Sequence, residues 1–463
     1  MNWLTSFIEI SPIILSSIVL FVVRDDKNWI NWSVILIMLG LFAAVATVWI
    51  KSVPSTQVSD FGIFWNKANI VAEGGHLYDS EIDYFATNAY QTGFVLYLLL
   101  LIKMFSANTF AMQFMNVLIQ VSILLMTYVI SLKIFKKVKI ARLAMFLLMV
   151  DLDWLALNSQ ADNQYLGSLM YLITMYLILQ GRTWTTIASG FTLAMGWLIR
   201  PIGPAVFLGI IVYLVIFEIN YSQKNFFQEL LLKVAVPAGL CLLTLFGTGL
   251  MIQNSGLNPH GLRSENTEWK FVVGLNYRTL GTYSTELNDR FKFASTQTNV
   301  KHEERQELQQ EISYLSQNNN WLKLFLSKFS LLWSGSTNAS DLVGFDKTHS
   351  PDSNQVVELI GYLGSMSLIV FSWFGALQLF RREYNSKILL LLLPLLIFAA
   401  IELIIEVQGR YRIELLPVIS VVSGLGLFSV YSFMETMNRV KFSNYLAKMD
   451  LLQRIPLIRS IRK

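Results

Sequence analysis

Long apolar runs, separated by polar loops, make up most of this 463-residue chain. A run of about 20 apolar residues is long enough to cross the hydrocarbon core of a bilayer as a helix. Such runs recur from one end of the chain to the other. The pattern predicts an all-α polytopic membrane protein with about eleven transmembrane helices, at residues 3–23, 29–50, 110–134, 141–157, 165–179, 185–199, 203–219, 230–252, 356–380, 388–406 and 415–433.

Two other apolar segments have a different pattern. Residues 92–105 form a run of about 14 residues, which is short for a span and fits a re-entrant or interfacial helix. Residues 302–329 predict a helix that is charged first and apolar afterwards, so we expect its second half to lie on the outer leaflet as an amphipathic helix. The chain therefore divides into an N-terminal transmembrane module at 1–253, an outer segment at 254–354, and C-terminal helices with a basic tail at 355–463.

Basic residues orient these predicted spans. The lysine-rich stretch 133–139 follows a span and marks a cytoplasmic end. Counting from it, and with 92–105 not crossing, the loop 51–90, the turn at Asp162, the segment 254–354 and the turn 409–412 lie outside. The sequence thus predicts a multi-pass protein of the cell membrane whose active site is on the extracellular or periplasmic face.

Composition agrees with this class. The chain is 54% hydrophobic and 14% charged, whereas soluble domains carry roughly a quarter charged residues. The net charge of +5 indicates the positive-inside bias of membrane proteins, and we expect no nucleic-acid partner. Cys241 is the only cysteine, so neither an intrachain disulfide nor a zinc-thiolate site is expected.

The first outer loop places a carboxylate at a predicted membrane edge. Asp60 is followed by several aromatic residues, including Trp65, and by Lys67. Packing explains a charged group there poorly, whereas a carboxylate in that place can take a proton from an acceptor hydroxyl. His76 and Asp79, later in the loop, fit a solvated turn better than a chemical role.

A second polar cluster follows the span at 141–157. It contains Asp162 and Asn163, and a helix N-cap explains Asp162 as well as chemistry does. Asp151 and Asp153 lie nearer the membrane, where ionisable groups usually face a cavity or a polar partner.

Arginines mark two further outer edges. Arg200, at the end of a predicted span, either extends to lipid headgroups or binds an anion. Arg410 and Arg412 flank Tyr411 close to Glu406. Two arginines in such a place require a neighbouring anion, and the planar guanidinium group matches the geometry of phosphate oxygens. We therefore expect phosphate binding at the second edge.

Motifs of soluble enzymes are missing from the sequence. It contains no glycine-rich phosphate loop of the nucleotide-binding type, and its four histidines are too scattered for a zinc-binding HExxH motif. Nucleotide sugars and ATP are therefore not expected as direct substrates.

Taken in this order, the clusters resemble the GT-C membrane glycosyltransferases, in particular the bacterial branch of the protein-O-mannosyltransferase and aminoarabinose-transferase clan. The first loop of that clan typically carries Asp, an aromatic pair, Ala, Gly-Gly and Leu-Tyr-Asp. Its counterparts here are Asp60, Phe64-Trp65, Ala68, Gly74-Gly75 and Leu77-Tyr78-Asp79. The clan's Glu-x-Gln-x-Arg-Tyr signature is matched by Glu406, Gln408, Arg410 and Tyr411. Asn88-Ala89 departs from the Tyr-Pro expected there.

The resemblance implies a donor sugar linked to a polyprenyl monophosphate and transferred on the outer face with inversion. It also implies that Asp60 deprotonates the acceptor hydroxyl while basic residues stabilise the departing phosphate. The expected partners are that donor, membrane lipid, and an acceptor that is a surface glycopolymer, a glycolipid or a protein. Some members use a divalent metal and others do not; no clear ligand set stands out here, so the cofactor stays open.

The site residues nominated by the sequence fall into three roles. The catalytic candidates are Asp60 and Asp162. The candidates for binding the donor phosphate are Arg410, Tyr411, Arg200 and Lys67, and those for binding the rest of the substrate are Trp65, Gln91, Asn163 and Glu406.

Two other functions stay open at this point. A polysaccharide polymerase or ligase of the outer face would use similar donors, but it would depend mainly on arginines and a histidine in its loops. A lipid-linked sugar transporter or flippase would show an inverted repeat with helices broken at the midplane, and no such paired segments are found.

Overall fold

A computed structural model describes residues 3–24, 27–78, 84–219, 225–264, 268–292, 297–333, 337, 339–381 and 385–453. Asp79 and the end of the basic tail lie outside these ranges. The helices of the N-terminal module are α1 Trp3–Val22, α2 Asn28–Ser52, α3 Ser59–Ala72, α4 Tyr84–Thr87, α5 Thr92–Phe105, α6 Thr109–Phe135, α7 Val138–Met149, α8 Leu152–Ala156, α9 Asn163–Leu179, α10 Thr183–Ile199, α11 Gly203–Tyr213, α12 Phe226–Leu230 and α13 Val236–Asn254. Those that follow are α14 Trp269–Leu275, α15 Thr285–Lys292, α16 Gln297–Gln317, α17 Trp321–Trp333, α18 Ala339–Leu342, α19 Pro351–Arg381, α20 Leu389–Glu402 and α21 Leu416–Gln453.

The described residues form helices and loops without a β-strand, which confirms the all-α prediction. Within the described ranges, five helical stretches are long and apolar enough to cross a membrane: Asn28–Ser52, Thr109–Phe135, Phe226–Asn254, Pro351–Arg381 and Gly409–Met437. On α2, Leu36, Leu41 and Val48 are exposed on the face turned away from the core, as lipid-facing residues would be. The protein is therefore a multi-pass membrane protein.

The predicted number of about eleven spans is not confirmed, because several predicted spans are shorter helices. The expected span at 141–157 is two helices, since α7 ends at Met149 and Asp151 caps α8 by accepting a bond from the Trp154 amide at 3.0 Å. Helices α9 and α10 have 17 residues each, and α11 continues without a break into a wider helical turn, so that the whole stretch runs from Gly203 to Glu218. The short apolar run at 92–105 is helix α5 over the same residues.

Helices α5, α9 and α11 pack against α10, and α3 packs in turn against α5. Helix α5 approaches α10 so closely that a Cβ on Gly93 would lie 2.1 Å from the Leu198 carbonyl oxygen. Helix α9 packs along α10, and α11 packs against α20. The ends of α3, α9, α10 and α20 consequently converge.

The outer segment is attached to the turn that follows α20. The Glu406 amide donates to the Lys270 carbonyl and the Val407 amide donates to the Gly281 carbonyl, both at 2.9 Å. The amine of Lys328 on α17 is buried and donates to the Gly274 and Ile405 carbonyls at 2.8 and 2.6 Å. These bonds fix α14 and α17 beside that turn.

The predicted helix at 302–329 is two helices. Helix α16 ends at Gln317, and Asn319 has a φ of 54° before α17 begins. Asparagine tolerates this left-handed conformation better than most residues. Leu322, Leu326 and Phe329 of α17 are exposed, as an amphipathic helix on a membrane surface would require. The division of the chain at 253 and 354 stays a prediction.

Candidate active site

A cavity of about 1070 Å³ lies where the polar clusters meet. Its walls come from the start of α3, the stretch 84–91, the start of α9, the α10–α11 turn, the outer segment, and the chain from the end of α20 to residue 411. The sequence-predicted residues that line it are Asp60, Gln91, Asn163, Arg200, Glu406, Arg410 and Tyr411. Residues far apart in the chain thus form one site.

Asp60 lies in the first turn of α3, with 39% of its side chain exposed. A helix N-terminus favours a carboxylate through the helix dipole. Ser59, directly before it, has a φ of 52°, which is uncommon for a residue other than glycine. Phe61 and Phe64 are buried on the same helix and hold it against α5. The Asp60 carboxylate is therefore placed at the cavity by a rigid helix.

A chain of polar side chains runs from Asp60 across the cavity. Arg410 donates from Nη2 to Asp60 Oδ2 at 2.9 Å and from Nε to Gln408 Oε1 at 2.7 Å. Gln408 donates to Glu406 Oε1 at 2.7 Å, and Lys270 donates to Glu406 Oε2 at 2.6 Å. The Arg410 guanidinium also lies over the Phe61 ring. Two cations and two carboxylates are thus connected in alternation.

Electrostatics keeps Glu406 and Lys270 charged. Burial raises the pKa of Glu406, but Lys270, Gln408 and Arg410 outweigh burial and bring the pKa below its ordinary value. Burial lowers the pKa of Lys270, but Tyr411 and Glu406 raise it well above its ordinary value. Positive charge therefore persists at this wall of the cavity at neutral pH.

A second set of polar contacts surrounds Arg200. Its Nε donates to Glu414 Oε1 at 2.9 Å, and its guanidinium lies over the Tyr411 ring at 5.4 Å. Gln164 also donates to Glu414 and to the Arg410 carbonyl. Because Gly167 has no side chain, Arg200 can pass α9; a Cβ there would lie 2.5 Å from Arg200 Cβ. The predicted lipid-facing or anion-binding arginine points into the protein.

Amide side chains complete this wall. Asn163 donates to Gln91 Oε1 at 3.1 Å, and Arg200 Nη1 lies 3.5 Å from Asn163 Oδ1. Both amides line the cavity. They offer neutral hydrogen-bonding groups of the kind that sugar hydroxyls need.

Asp162 is the N-cap of α9 and does not line the cavity. It accepts a bond from the Gln164 amide at 2.9 Å, while its Oδ2 is buried without a hydrogen-bond partner. Burial raises the pKa of Asp162 to about 7, opposed by the Gln164 amide and by Arg200. Its contacts place it behind Asn163 and Gln164, which do line the cavity.

Other residues singled out by the sequence also lie away from the cavity. Trp65 is buried in the helix core, and Lys67 on α3 does not line the site. Arg412 is buried, 3.7 Å from the carboxylate of Asp153. That carboxylate also accepts hydrogen bonds from the Thr337 and Ala339 amides. The Arg412–Asp153 pair therefore connects the turn at 409–412 to Thr337 and Ala339.

Four charged residues in or near the cavity were not nominated from the sequence: Lys270, Glu414, Glu402 and Glu304. Lys270 was detectable as a lone cation in the apolar helix Trp269–Leu275. Glu414 was detectable as an unexplained carboxylate two residues after Arg412. Glu402 and Glu304 line the cavity, and each has a buried oxygen without a hydrogen-bond partner. Glu402 was detectable as a carboxylate inside the apolar run 388–406, whereas Glu304 lies in a charged stretch and has the sequence context of an ordinary surface-helix residue.

Among the described residues, no group of three or more His, Cys, Asp or Glu side chains is arranged to hold a metal ion. The acids at the cavity are instead paired with arginine, lysine and amide groups. What this arrangement offers is a carboxylate able to accept a proton beside several cations able to stabilise an anion.

No protein-family model matches the chain, and no curated protein is significantly similar to it in sequence. Among solved structures, it is similar to the oligosaccharyltransferase AglB from Archaeoglobus fulgidus in complex with an inhibitory peptide and a dolichol-phosphate, with 13% identity over 90% of this chain and 52% of that chain and a TM-score of 0.47. For the apo oligosaccharyltransferase of that organism, the identity is 14%, the coverage is again 90% and 52%, and the TM-score is 0.49.

A further similarity is to ArnT from Cupriavidus metallidurans bound to undecaprenyl phosphate, with 13% identity over 85% of this chain and 77% of that chain and a TM-score of 0.39. The chain spans about half the length of the archaeal oligosaccharyltransferase. Each TM-score is below 0.5, so the activity has to be inferred from the chain's own site.

Proposed function

We propose that this protein is a membrane glycosyltransferase that moves a monosaccharide from a polyprenyl-phosphate donor to a cell-surface acceptor on the outer face. The observation that carries the proposal is a single cavity in which Asp60 lies among Arg410, Arg200 and Lys270. A carboxylate base and anion-stabilising cations are what the displacement of a lipid phosphate from a sugar requires.

The apolar part of the cavity fits the lipid end of such a donor. Between α11 and α20 its wall is formed by Pro204, Ala205, Phe398 and Ile401. Isoprene units have no polar groups to satisfy, so this wall can hold the first of them. Arg200, Lys270 and Arg410 line the same cavity. They would face the phosphate group attached to the end of the isoprene chain.

In the proposed reaction, Asp60 takes the proton of an acceptor hydroxyl. The acceptor oxygen then forms a bond to the anomeric carbon while the bond between that carbon and the phosphate oxygen breaks. The bonding pair stays on the phosphate, which leaves as polyprenyl phosphate, and attack from the opposite side inverts the configuration. Arg410, with Arg200 and Tyr411, stabilises the developing phosphate charge. We assign Asp162 the role of positioning Asn163 and Gln164.

Two observations weigh against the competing functions. No described histidine lines the cavity, whereas a polymerase or ligase of the kind considered would use one. A transporter would have little need of a carboxylate held by an arginine at one membrane edge. The following test distinguishes the polymerase or ligase and the transporter from the proposed glycosyltransferase.

The test is release of polyprenyl phosphate by the purified protein from a panel of polyprenyl-phosphate sugars. We expect Asp60→Asn to reduce turnover on the order of a hundredfold or more, because proton transfer contributes factors of that size, and to retain donor binding. Asp352→Asn is the matched control, since Asp352 is an exposed carboxylate in the first turn of α19.

Near-normal turnover in Asp60→Asn would assign the base to another carboxylate, with Asp162 the first to examine. If the wild-type protein releases polyprenyl phosphate from no donor but binds one, a transporter becomes the better proposal. Transfer of whole oligosaccharides, with no transfer of monosaccharides, would favour the polymerase or ligase.

A further inference from the structure

The wall of the cavity contributed by the outer segment has its own chemistry. Five of its side chains are Trp269, Tyr283, Asn288, Phe291 and Glu304, which we call the outer subsite. The Trp269 and Phe291 rings meet edge to face, with 5.6 Å between their centroids. Aromatic faces beside a carboxyl and an amide suit a sugar ring, which has apolar C–H faces and a rim of hydroxyl groups.

Glu304 is the least expected member of this group. Only 2% of the residue is exposed, and its Oε2 is buried without a hydrogen-bond partner. A buried carboxyl oxygen that lacks a partner is costly and calls for an explanation. Because Glu304 lines the cavity, a ligand with a hydrogen-bond donor can supply the missing partner.

The position of Glu304 is fixed by the packing of α16. Leu308, one turn further along, packs against the buried cluster of Val272, Leu287 and Phe291. Arg305 donates to Glu268 at 3.0 Å, which ties α16 to the start of α14. The carboxyl is thus held by three helices of the outer segment and not by a loose surface chain.

The outer subsite lines the same cavity as the proposed base, Asp60. Burial raises the pKa of Tyr283, and Asp289, Glu406 and Asp60 raise it further, so its hydroxyl lies within the field of Asp60. Burial and then Glu268 raise the pKa of Glu304 to about 7, opposed by Lys301. Near neutral pH its carboxyl therefore exists in a form that donates to a hydroxyl and in a form that accepts from one.

We infer that the outer subsite binds a sugar ring of the acceptor, with Glu304 bonded to a hydroxyl of that ring, and that the acceptor is therefore a carbohydrate. The inference rests on the proposed function and narrows it. The apolar wall between α11 and α20, which suits the lipid donor, is built by the apolar helices, whereas the outer subsite is built by helices that carry no span. A substrate that arrives from outside the membrane meets these helices first.

The experiment has a binding arm and a kinetic arm, both with the full-length protein in nanodiscs. In the binding arm, saturation-transfer NMR measures the affinity of a panel of p-nitrophenyl glycosides and of a serine-containing peptide. In the kinetic arm, release of polyprenyl phosphate is followed with water alone and then with a glycoside. The variants are Glu304→Gln and Trp269→Ala, with Glu303→Gln as the neighbouring control on α16.

We expect the wild-type protein to bind at least one glycoside and not the peptide. Glu304→Gln and Trp269→Ala should weaken that binding, and raise KM for the glycoside, about tenfold or more. Release of polyprenyl phosphate to water needs no acceptor, so in both variants it should fall less than transfer to the glycoside does. Glu303→Gln should behave as wild type.

The inference is overturned if the wild-type protein binds no glycoside, if it binds the peptide instead, or if both variants bind glycosides as tightly as wild type. An equal loss of release to water and of transfer to the glycoside would assign the outer subsite to the donor sugar and would also overturn it. Absence of any polyprenyl-phosphate release by wild type defeats the proposed function, whereas the binding arm still decides the carbohydrate subsite.

Discussion

At the scale of single residues, Arg410 is the group best placed to meet an incoming phosphate. A hydrogen bond to a charged group contributes roughly 1.5–3 kcal/mol, so Arg410→Ala should weaken binding of a polyprenyl-phosphate sugar about ten- to a hundredfold. Arg410→Lys should restore only part of the affinity, because lysine lacks the two-pronged geometry. Affinity in nanodiscs is the measurement. Arg290→Ala, which removes an exposed arginine on α15, is the control.

Wild-type affinity in Arg410→Ala would mean that Arg410 only positions Asp60. The phosphate would then have to be held by Arg200 and Lys270, and the same measurement on Arg200→Ala would decide between them.

Asp162 gives the stability a predictable dependence on pH. Its pKa rises from 3.8 to about 7 on folding, so the folded protein binds the proton more tightly than the unfolded chain does. The stabilisation of the folded state by the protonated Asp162 is fully present below about pH 4 and is lost as the pH rises through about 7. The difference in pKa corresponds to on the order of 4 kcal/mol. Asp162→Asn, which stays neutral, should therefore lose less thermal stability than wild type between pH 5 and pH 8.

Thermal unfolding followed by intrinsic fluorescence at several pH values checks this expectation. Glu304 titrates in the same direction, but it is common to both proteins and cancels in the comparison. Parallel pH profiles for variant and wild type would contradict the assignment.

Charged residues at membrane edges can be found from the sequence, but their partners cannot. Arg410 pairs with Asp60, 350 positions away, and Arg200 pairs with Glu414, 214 positions away. Such pairs depend on how helices pack, which is decided by contacts that are local in space but not in the chain. Trp65 and Lys67 stand close to Asp60 in sequence but do not line the cavity. Trp65 lies on another face of α3, whereas Lys67 lies on the face of Asp60 but two turns further from the start of the helix.

At the scale of helices, the contact between α5 and α10 should decide whether Arg200 is held in place. Gly93→Ala would put a Cβ 2.1 Å from the Leu198 carbonyl and force the helices apart. Overpacking of this kind costs about 1–3 kcal/mol, so the variant should melt at a lower temperature and lose activity. Gly40→Ala on α2, where a Cβ meets nothing within 4 Å, should be neutral or slightly stabilising.

Unchanged melting and activity in Gly93→Ala would show that α5 can move without disturbing α10. The comparison with Gly40→Ala separates this packing effect from the general preference of helices for alanine.

Helices were predictable from apolar runs, but their interruptions were not. Helix α5 lies at the predicted residues because a 14-residue apolar run is bounded by polar residues on both sides. The breaks at Val150 and at Asn319 depend on single residues: the Asp151 cap and the left-handed Asn319. A hydrophobicity pattern averages over about 20 residues and cannot resolve either one.

At the scale of the whole molecule, the proposed function requires the cavity to face outward. The loop before α3 and the outer segment should therefore be on one side of the membrane, and the lysine-rich stretch 133–139 on the other. In a Cys241→Ala background, an impermeant maleimide applied to intact cells should label Ser55→Cys and leave Lys137→Cys unlabelled. Lys137→Cys should react only after permeabilisation. Equal labelling of both in intact cells would contradict this orientation.

The ion pair between Asp60 and Arg410 has a consequence for the order of events. Asp60 Oδ2 accepts a hydrogen bond from Arg410, so an acceptor that arrives first finds this oxygen already occupied. A phosphate that competes for Arg410 frees Asp60 in the same movement. Binding of the charged lipid phosphate would thus release Asp60 from Arg410. A sugar hydroxyl or water molecule that enters before the donor would find Asp60 still bonded to Arg410.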